Sequence, residues 1–223
     1  MTETVTGRPI PARNPPYPRQ KGIAMTAMPA ALVHARQEVI GRDDERWERL
    51  RSIIEARSLM RGDFTLTSGA KSTYLFQLRQ TTMFPEGQYL IGTIIEAFMR
   101  KIGVRTIGGL EMGAVPVVSA VAFASFASGH PVDAFFVRKQ VKSHGAQELI
   151  DGELKNGAEV LMVDDVTTTA GSILKAIDNM ASERTCTVRW ALSVVDRDEG
   201  AAENLGKRGI ALAAIFTRAD FGL

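Results

Sequence analysis

Behind the acidic run Asp43, Asp44 and Glu45, the apolar residues Trp47, Leu50, Ile53 and Ile54 recur at helical spacing. Carboxylates at that end suit the positive pole of a helix, so a first helix is predicted there and the folded domain is expected to begin near Asp43. A second helix opens at Pro85 and Glu86, with Leu90, Ile91, Ile94, Ile95, Phe98 and Ile102 on one face. Between the two, residues 64–81 are rich in aromatic and hydroxyl side chains and broken at Ser68-Gly69, which predicts two short strands around a turn. Short apolar runs then alternate with helical ones: strands over 106–110, 133–138, 160–163, 188–195 and 210–216, helices over 113–127, 172–182 and 201–207. The run 114–127 is so weakly polar that it reads as a buried helix. Apolar strands alternating with helices predict an α/β domain whose mostly parallel sheet is covered on both faces. Ligands of such sheets bind beyond the carboxyl ends of the strands. That directs attention to residues 111–114, 138 onward, 164–172 and Asp196-Arg197.

Composition narrows the function classes. The 223 residues, 45% hydrophobic and 23% charged, suit a globular chain with one sizeable core. A formal net charge of +2 is no nucleic-acid footprint, so basic residues matter only where they cluster. Cys186 is the single cysteine, which rules out a disulfide framework within one chain and suits a reducing, cytoplasmic setting. His34, His130 and His144 lack zinc-ligand spacing. No run is long enough to predict a membrane span, and the first residues hold no secretory-type apolar stretch. Six of the nine prolines fall between Pro9 and Pro29, so residues 1–42 are expected to be a proline-rich, disordered extension ahead of a domain over 43–223. Met25 and Met28 could serve as alternative starts.

Two stretches carry chemistry. In VLMVDDVTTTAGS, residues 160–172, two aspartates follow a buried strand and lead into hydroxyl and small residues. A lone Asp at such a turn is most often a cap. Here Thr167, Thr168, Thr169 and Ser172 add hydroxyls, while Ala170 and Gly171 allow close backbone approach, so the helix start makes an anion site. Two carboxylates beside a phosphate repel it unless they face sugar hydroxyls or a bridging divalent cation. A phosphorylated sugar satisfies both halves. The second stretch, FFVRKQVKSHGAQELIDG, places Arg138, Lys139, Lys142 and His144 past a strand, with Gly145 and Gly152 permitting a mobile loop. Such a cationic loop can cover a pyrophosphate and exclude water.

The first stretch resembles the phosphoribosyl-pyrophosphate (PRPP) motif of the type I phosphoribosyltransferases. The second resembles the Arg-Lys-x-x-Lys-x-His-Gly loop of the orotate phosphoribosyltransferases. SGAKSTYLFQLR, residues 68–79, is similar to the segment those enzymes place beside orotate, and SVVDR, residues 193–197, to the strand end whose arginine grips the orotate carboxylate. The resemblance covers roughly residues 47–216 and implies the family's fold: a central, mostly parallel sheet flanked by helices, with a small N-terminal hood and a mobile catalytic loop. It implies transfer of ribose 5-phosphate from PRPP to orotate, giving orotidine 5′-monophosphate and pyrophosphate in de novo UMP synthesis.

Carried over residue by residue, the resemblance assigns Lys142 and Asp165 to catalysis. Arg138, Lys139, Lys142, His144, Asp164, Asp165, Val166, Thr167, Thr168, Thr169, Ala170, Gly171 and Ser172 go to PRPP, and Leu75, Phe76, Thr168 and Arg197 to orotate. Mg²⁺ is expected to be bridged by substrate, with no direct protein ligand. A homodimer is implied whose catalytic loop serves the neighbouring site, with no nucleic-acid or membrane partner. Thr67 and Glu111-Met112 depart from a lysine and a Tyr-Lys pair found in some relatives, so those ligand roles do not carry over. The alternatives are an enzyme for another base, or a PRPP-sensing regulator of the same fold; the basic loop and Arg197 weigh against the regulator.

Overall fold

The computed structural model describes residues 33, 35–65, 71–140 and 148–223. Lys142, His144, Gly145 and the Ser68-Gly69 turn lie outside them. The main sheet has the strand order β1-β9-β8-β7-β4-β5-β6. Its members are β1 (Gln37–Glu38), β4 (Thr106–Gly109), β5 (Asp133–Val137), β6 (Ile150–Gly152), β7 (Glu159–Thr167), β8 (Thr187–Asp196) and β9 (Ala211–Thr217). Every pairing is parallel except β5 with β6. The hairpin β2 (Leu59–Thr65) and β3 (Lys71–Phe76) stands apart as a two-stranded sheet.

Among the described residues the connecting helices are α1 (Glu45–Arg57), α2 (Arg79–Thr82), α3 (Pro85–Ile102), α4 (Ala114–Ala127), α5 (Gly171–Ala181) and α6 (Ala201–Gly206). Asp44 caps α1, its Oδ1 accepting from the Arg46 amide at 2.9 Å. On one sheet face Leu161, Val163, Leu192 and Val194 pack with α1, α3 and α4; on the other Val160, Met162 and Ala191 pack with α5 and α6. The near-continuous apolar strands follow from this two-sided cover, and burying each large aliphatic side chain contributes roughly 1.5–3 kcal/mol.

Four differences from the sequence expectations bear on function. The chain already belongs to the sheet at Gln37, ahead of Asp43, because β1 pairs with the exposed edge of β9. The strand expected to stop at Val163 runs on to Thr167, since its pairing with β8 continues through Thr167 and Asp196. After the basic loop the chain returns as β6, which periodicity over three residues does not signal. Finally, α4 is not buried all round. Val117, Val118 and Val121 face the core, while Phe123 and Phe126 are 77% and 73% exposed.

Candidate active site

The prolonged β7 carries the acid pair on its last turns of pleat. Asp164 is 9% exposed and Asp165 half-buried. Asp164 Oδ1 accepts from the Asp165 amide at 3.0 Å, and Asp165 Oδ1 from the Val166 amide at 2.9 Å. Burial pushes the Asp164 carboxyl well above the usual carboxylate range, the Asp165 charge adds to the rise, and the Asp165 amide and Lys139 oppose it. The loop after β4 closes over this pair. A Cβ on Gly113 would stand 2.5 Å from Asp165 Oδ1 and 3.1 Å from Asp164 Oδ1, so a side chain there would displace the Asp165 carboxylate.

Past Thr167 the chain turns sharply into α5. Ala170 makes that turn at φ 64, a left-handed conformation that costs an alanine about 1–2 kcal/mol. No side chain caps the helix start, which leaves its first amides available to an anion. Thr167 Oγ1 is buried with no hydrogen-bond partner. The loop is tethered from outside by Asn204, whose Nδ2 donates to Thr169 O at 3.1 Å. Val166, Thr168, Gly171 and Ser172 lie on the same strand-turn-helix unit.

The neighbouring strand brings the cation. β7 and β8 end in register, Thr167 against Asp196, and the Arg197 amide donates to Thr167 O at 2.9 Å. Arg197 is 6% exposed. Its Nε lies 3.3 Å from Tyr74 Oη, and its Nη2 lies 3.4 Å from Ser72 Oγ and 3.0 Å from Glu199 Oε1. The guanidinium also sits over the Tyr74 ring, 4.6 Å from its centroid. A cavity of about 610 Å³ opens beside these groups, bounded by the hairpin on one side and by Arg197, Glu199 and Arg218 on the other.

Its walls include Ser72 and Tyr74 rather than Leu75 and Phe76. Along β3 the cavity is lined by the consecutive residues Lys71 to Tyr74 and ends before Leu75, which takes the strand face opposite Tyr74. Phe76 packs behind Tyr74 and against Phe221. Sequence reasoning passed over Tyr74, Ser72, Glu199 and Arg218; only the alternation of polar and aromatic residues at 72, 74 and 76 could have pointed to the first two.

Of the basic loop, Arg138 and Lys139 are described. Arg138 is held at the root of the loop by Asp151, with Glu111 Oε2 3.7 Å from its Nη1, and its carbonyl accepts from Asn179 Nδ2 at 3.0 Å. Glu111 Oε1 also accepts from the Lys139 amide at 2.8 Å. Glu111 thus anchors the point where the loop leaves β5. Arg138 sits in this anchor, and Lys139 is the described loop cation whose charge reaches Asp164.

Among the described residues no cluster of three or more His, Cys, Asp or Glu side chains could cage a metal. A hard divalent cation takes six or more oxygens, so two adjacent carboxylates fit an ion that arrives on substrate oxygens. No helix among the described residues is long and apolar enough to cross a membrane.

A strand-end acid pair thus leads into an uncapped helix start, with a buried arginine one strand away, an arrangement suited to a phosphorylated sugar beside an anionic group. Residues 86–210 match the family model of the phosphoribosyl transferase domain. The chain is 43% identical over 177 residues to the orotate phosphoribosyltransferase of Bradyrhizobium sp. BTAi1, covering 78% of this chain and 95% of that one. It also superposes on crystal structures of Mycobacterium tuberculosis orotate phosphoribosyltransferase. The complex with Fe(III) dicitrate gives a TM-score of 0.71 at 36% identity, and the complex with PRPP a TM-score of 0.67 at 33%; each match spans 81% of this chain and all of that one. The chain therefore belongs to the type I phosphoribosyltransferase family, among its orotate phosphoribosyltransferases.

Proposed function

We propose that this chain transfers ribose 5-phosphate from PRPP to orotate in the cytoplasm, and that the register of β7 with β8 carries the reaction by fixing ribose site and base site side by side. The orotate ring nitrogen forms the new bond to the anomeric carbon as the bond to pyrophosphate breaks, its proton passing to the departing pyrophosphate or to solvent, with positive charge building on the ribose. Asp164 and Asp165 accept from the ribose hydroxyls and offset that charge. Thr167, Thr168, Thr169 and Ser172 with the first α5 amides bind the 5′-phosphate. Arg197 pairs the orotate carboxylate bidentately, taking it in place of Glu199. The backbone of Leu75-Phe76 and Thr168 orient the ring. Lys139, Lys142 and His144 neutralise the leaving pyrophosphate, and Arg138 steadies their loop. Mg²⁺ arriving with substrate beside Asp164 and Asp165 would supply further charge neutralisation.

The active unit is a homodimer in which each loop covers the neighbouring site; exposed Phe123 and Phe126 on one face of α4 support association. Mixing a Lys142→Ala subunit with an Asp165→Asn subunit should restore activity, because one hybrid site keeps both groups. No recovery in verified heterodimers would refute the shared site. The reaction itself is tested with purified protein, PRPP and Mg²⁺, offered orotate, uracil, adenine and hypoxanthine in turn. Nucleotide should form with orotate. Turnover of a purine alone overturns the assignment, and PRPP binding with no turnover makes the protein a sensor.

A further inference from the structure

The turn that presents Arg197 is crowded with acid: Asp196, Asp198 and Glu199 all lie within two residues of it. Each is a potential partner for its guanidinium, yet only Glu199 is paired with it. The other two are held by a single cation from a distant part of the chain. Arg36, the residue ahead of β1, places Nη1 3.0 Å from Asp196 Oδ2 and in contact with Asp198 Oδ1. Asp196 is 2% exposed, and a buried carboxylate needs such a partner. Its remaining hydrogen bond is local, from the Asp198 amide to Oδ1 at 3.1 Å. Asp198 stands at φ 56, in the left-handed region that a non-glycine residue occupies only when its surroundings hold it.

Loss of Arg36 therefore does two things at once. It strips a buried carboxylate of its cation and frees the Asp198 side chain. Arg197 is flanked by both in sequence, and its guanidinium then becomes a candidate partner for them. Any share of it drawn toward these acids is lost to the cavity walled by Ser72, Tyr74 and Glu199. Arg36 also lies outside the 86–210 segment that the family model reads.

We propose that Arg36 is a positioning residue for Arg197: by sequestering Asp196 and Asp198 it keeps the guanidinium directed at the base site, and so sets the affinity for a carboxylated base. The inference rests on the assignment of the orotate carboxylate to Arg197. Its test is steady-state kinetics on the full chain with each substrate varied in turn. Arg36→Ala should raise the KM for orotate about tenfold while the KM for PRPP moves less than about twofold. Arg36→Lys, which keeps the charge, should recover most of the loss.

Adding Asp198→Asn to Arg36→Ala should lower the orotate KM again by about threefold, because the freed acid is then neutral. A structural lesion would not be repaired by that second change. An unchanged orotate KM in folded Arg36→Ala protein, equal rises in both KM values, or no recovery in the double variant overturns the proposal. Failure of both single variants to fold overturns it too, since Arg36 then serves the fold. If the wild-type enzyme turns over another base and not orotate, the reading beneath it fails instead, and the inference falls with that reading.

Discussion

The proposed ribose-and-phosphate half of the site runs from Asp164 to Ser172 without a break in the chain. The proposed base half is assembled: Ser72 and Tyr74 come from the β2–β3 hairpin, Arg197 and Glu199 from the turn after β8, and Arg218 from the turn after β9. The first half is one contiguous strand-turn-helix unit paired along β8, in which each aspartate carboxylate accepts from the amide of the next residue. The second exists only when the hairpin packs on the sheet, through Phe76, Phe221 and Phe216. Lesions in the first half should therefore act on chemistry with little change in base recognition. Lesions in the second should act on recognition alone.

The largest effect separating the halves is expected from Asp165→Asn. It retains the hydrogen bond to the Val166 amide but removes the charge facing the ribose, and should cut kcat/KM about a thousandfold with the melting temperature nearly unchanged. Arg197→Ala should cost about a hundredfold in kcat/KM for orotate, leaving PRPP affinity, measured by calorimetry, within about twofold. Arg197→Lys should recover little, since an ammonium cannot form the bidentate pair. A parallel loss of PRPP affinity in the Arg197 variants would break the division between the halves.

Asp164→Asn sharpens the comparison through stability. A carboxyl whose pKa is raised in the folded state stabilises the fold below its unfolded value and loses that contribution as pH rises through the folded value. The wild type is therefore penalised near neutrality, where the uncharged amide of the variant would resemble the neutral acid. The variant should be more stable by about 1 kcal/mol near pH 7, with the advantage fading toward about pH 4, while PRPP binds more weakly. Thermal melts across a pH series with and without PRPP check this. A gap that does not close on acidification would show that the buried charge is not its source.

The smallest effect belongs to Glu199, about a third exposed and paired with Arg197. Because it competes with an incoming carboxylate, Glu199→Gln should lower the orotate KM about threefold, with no change for PRPP. A raised KM would make Glu199 a ligand rather than a competitor.

The amino-acid sequence by itself determined the α/β class and the alternation of strands and helices, and it marked out the stretch proposed to hold the phosphate. All of these are written in short-range terms: periodicity of apolar residues, and nine contiguous residues from Asp164 to Ser172 that combine acids, hydroxyls and small side chains. It located Arg197 through the motif around it, yet did not reveal its surroundings. Tertiary structure decided that β7 extends beneath the aspartates, because strand length follows from the partner strand's hydrogen bonds and not from the apolar run. It turned Tyr74 toward the guanidinium and Leu75 away, since hairpin pleat and packing choose the face. It also brought Arg36 to Asp196 across 160 residues of chain, a contact that no local pattern encodes because the burial of Asp196, which demands a cation, arises only once the sheet has formed.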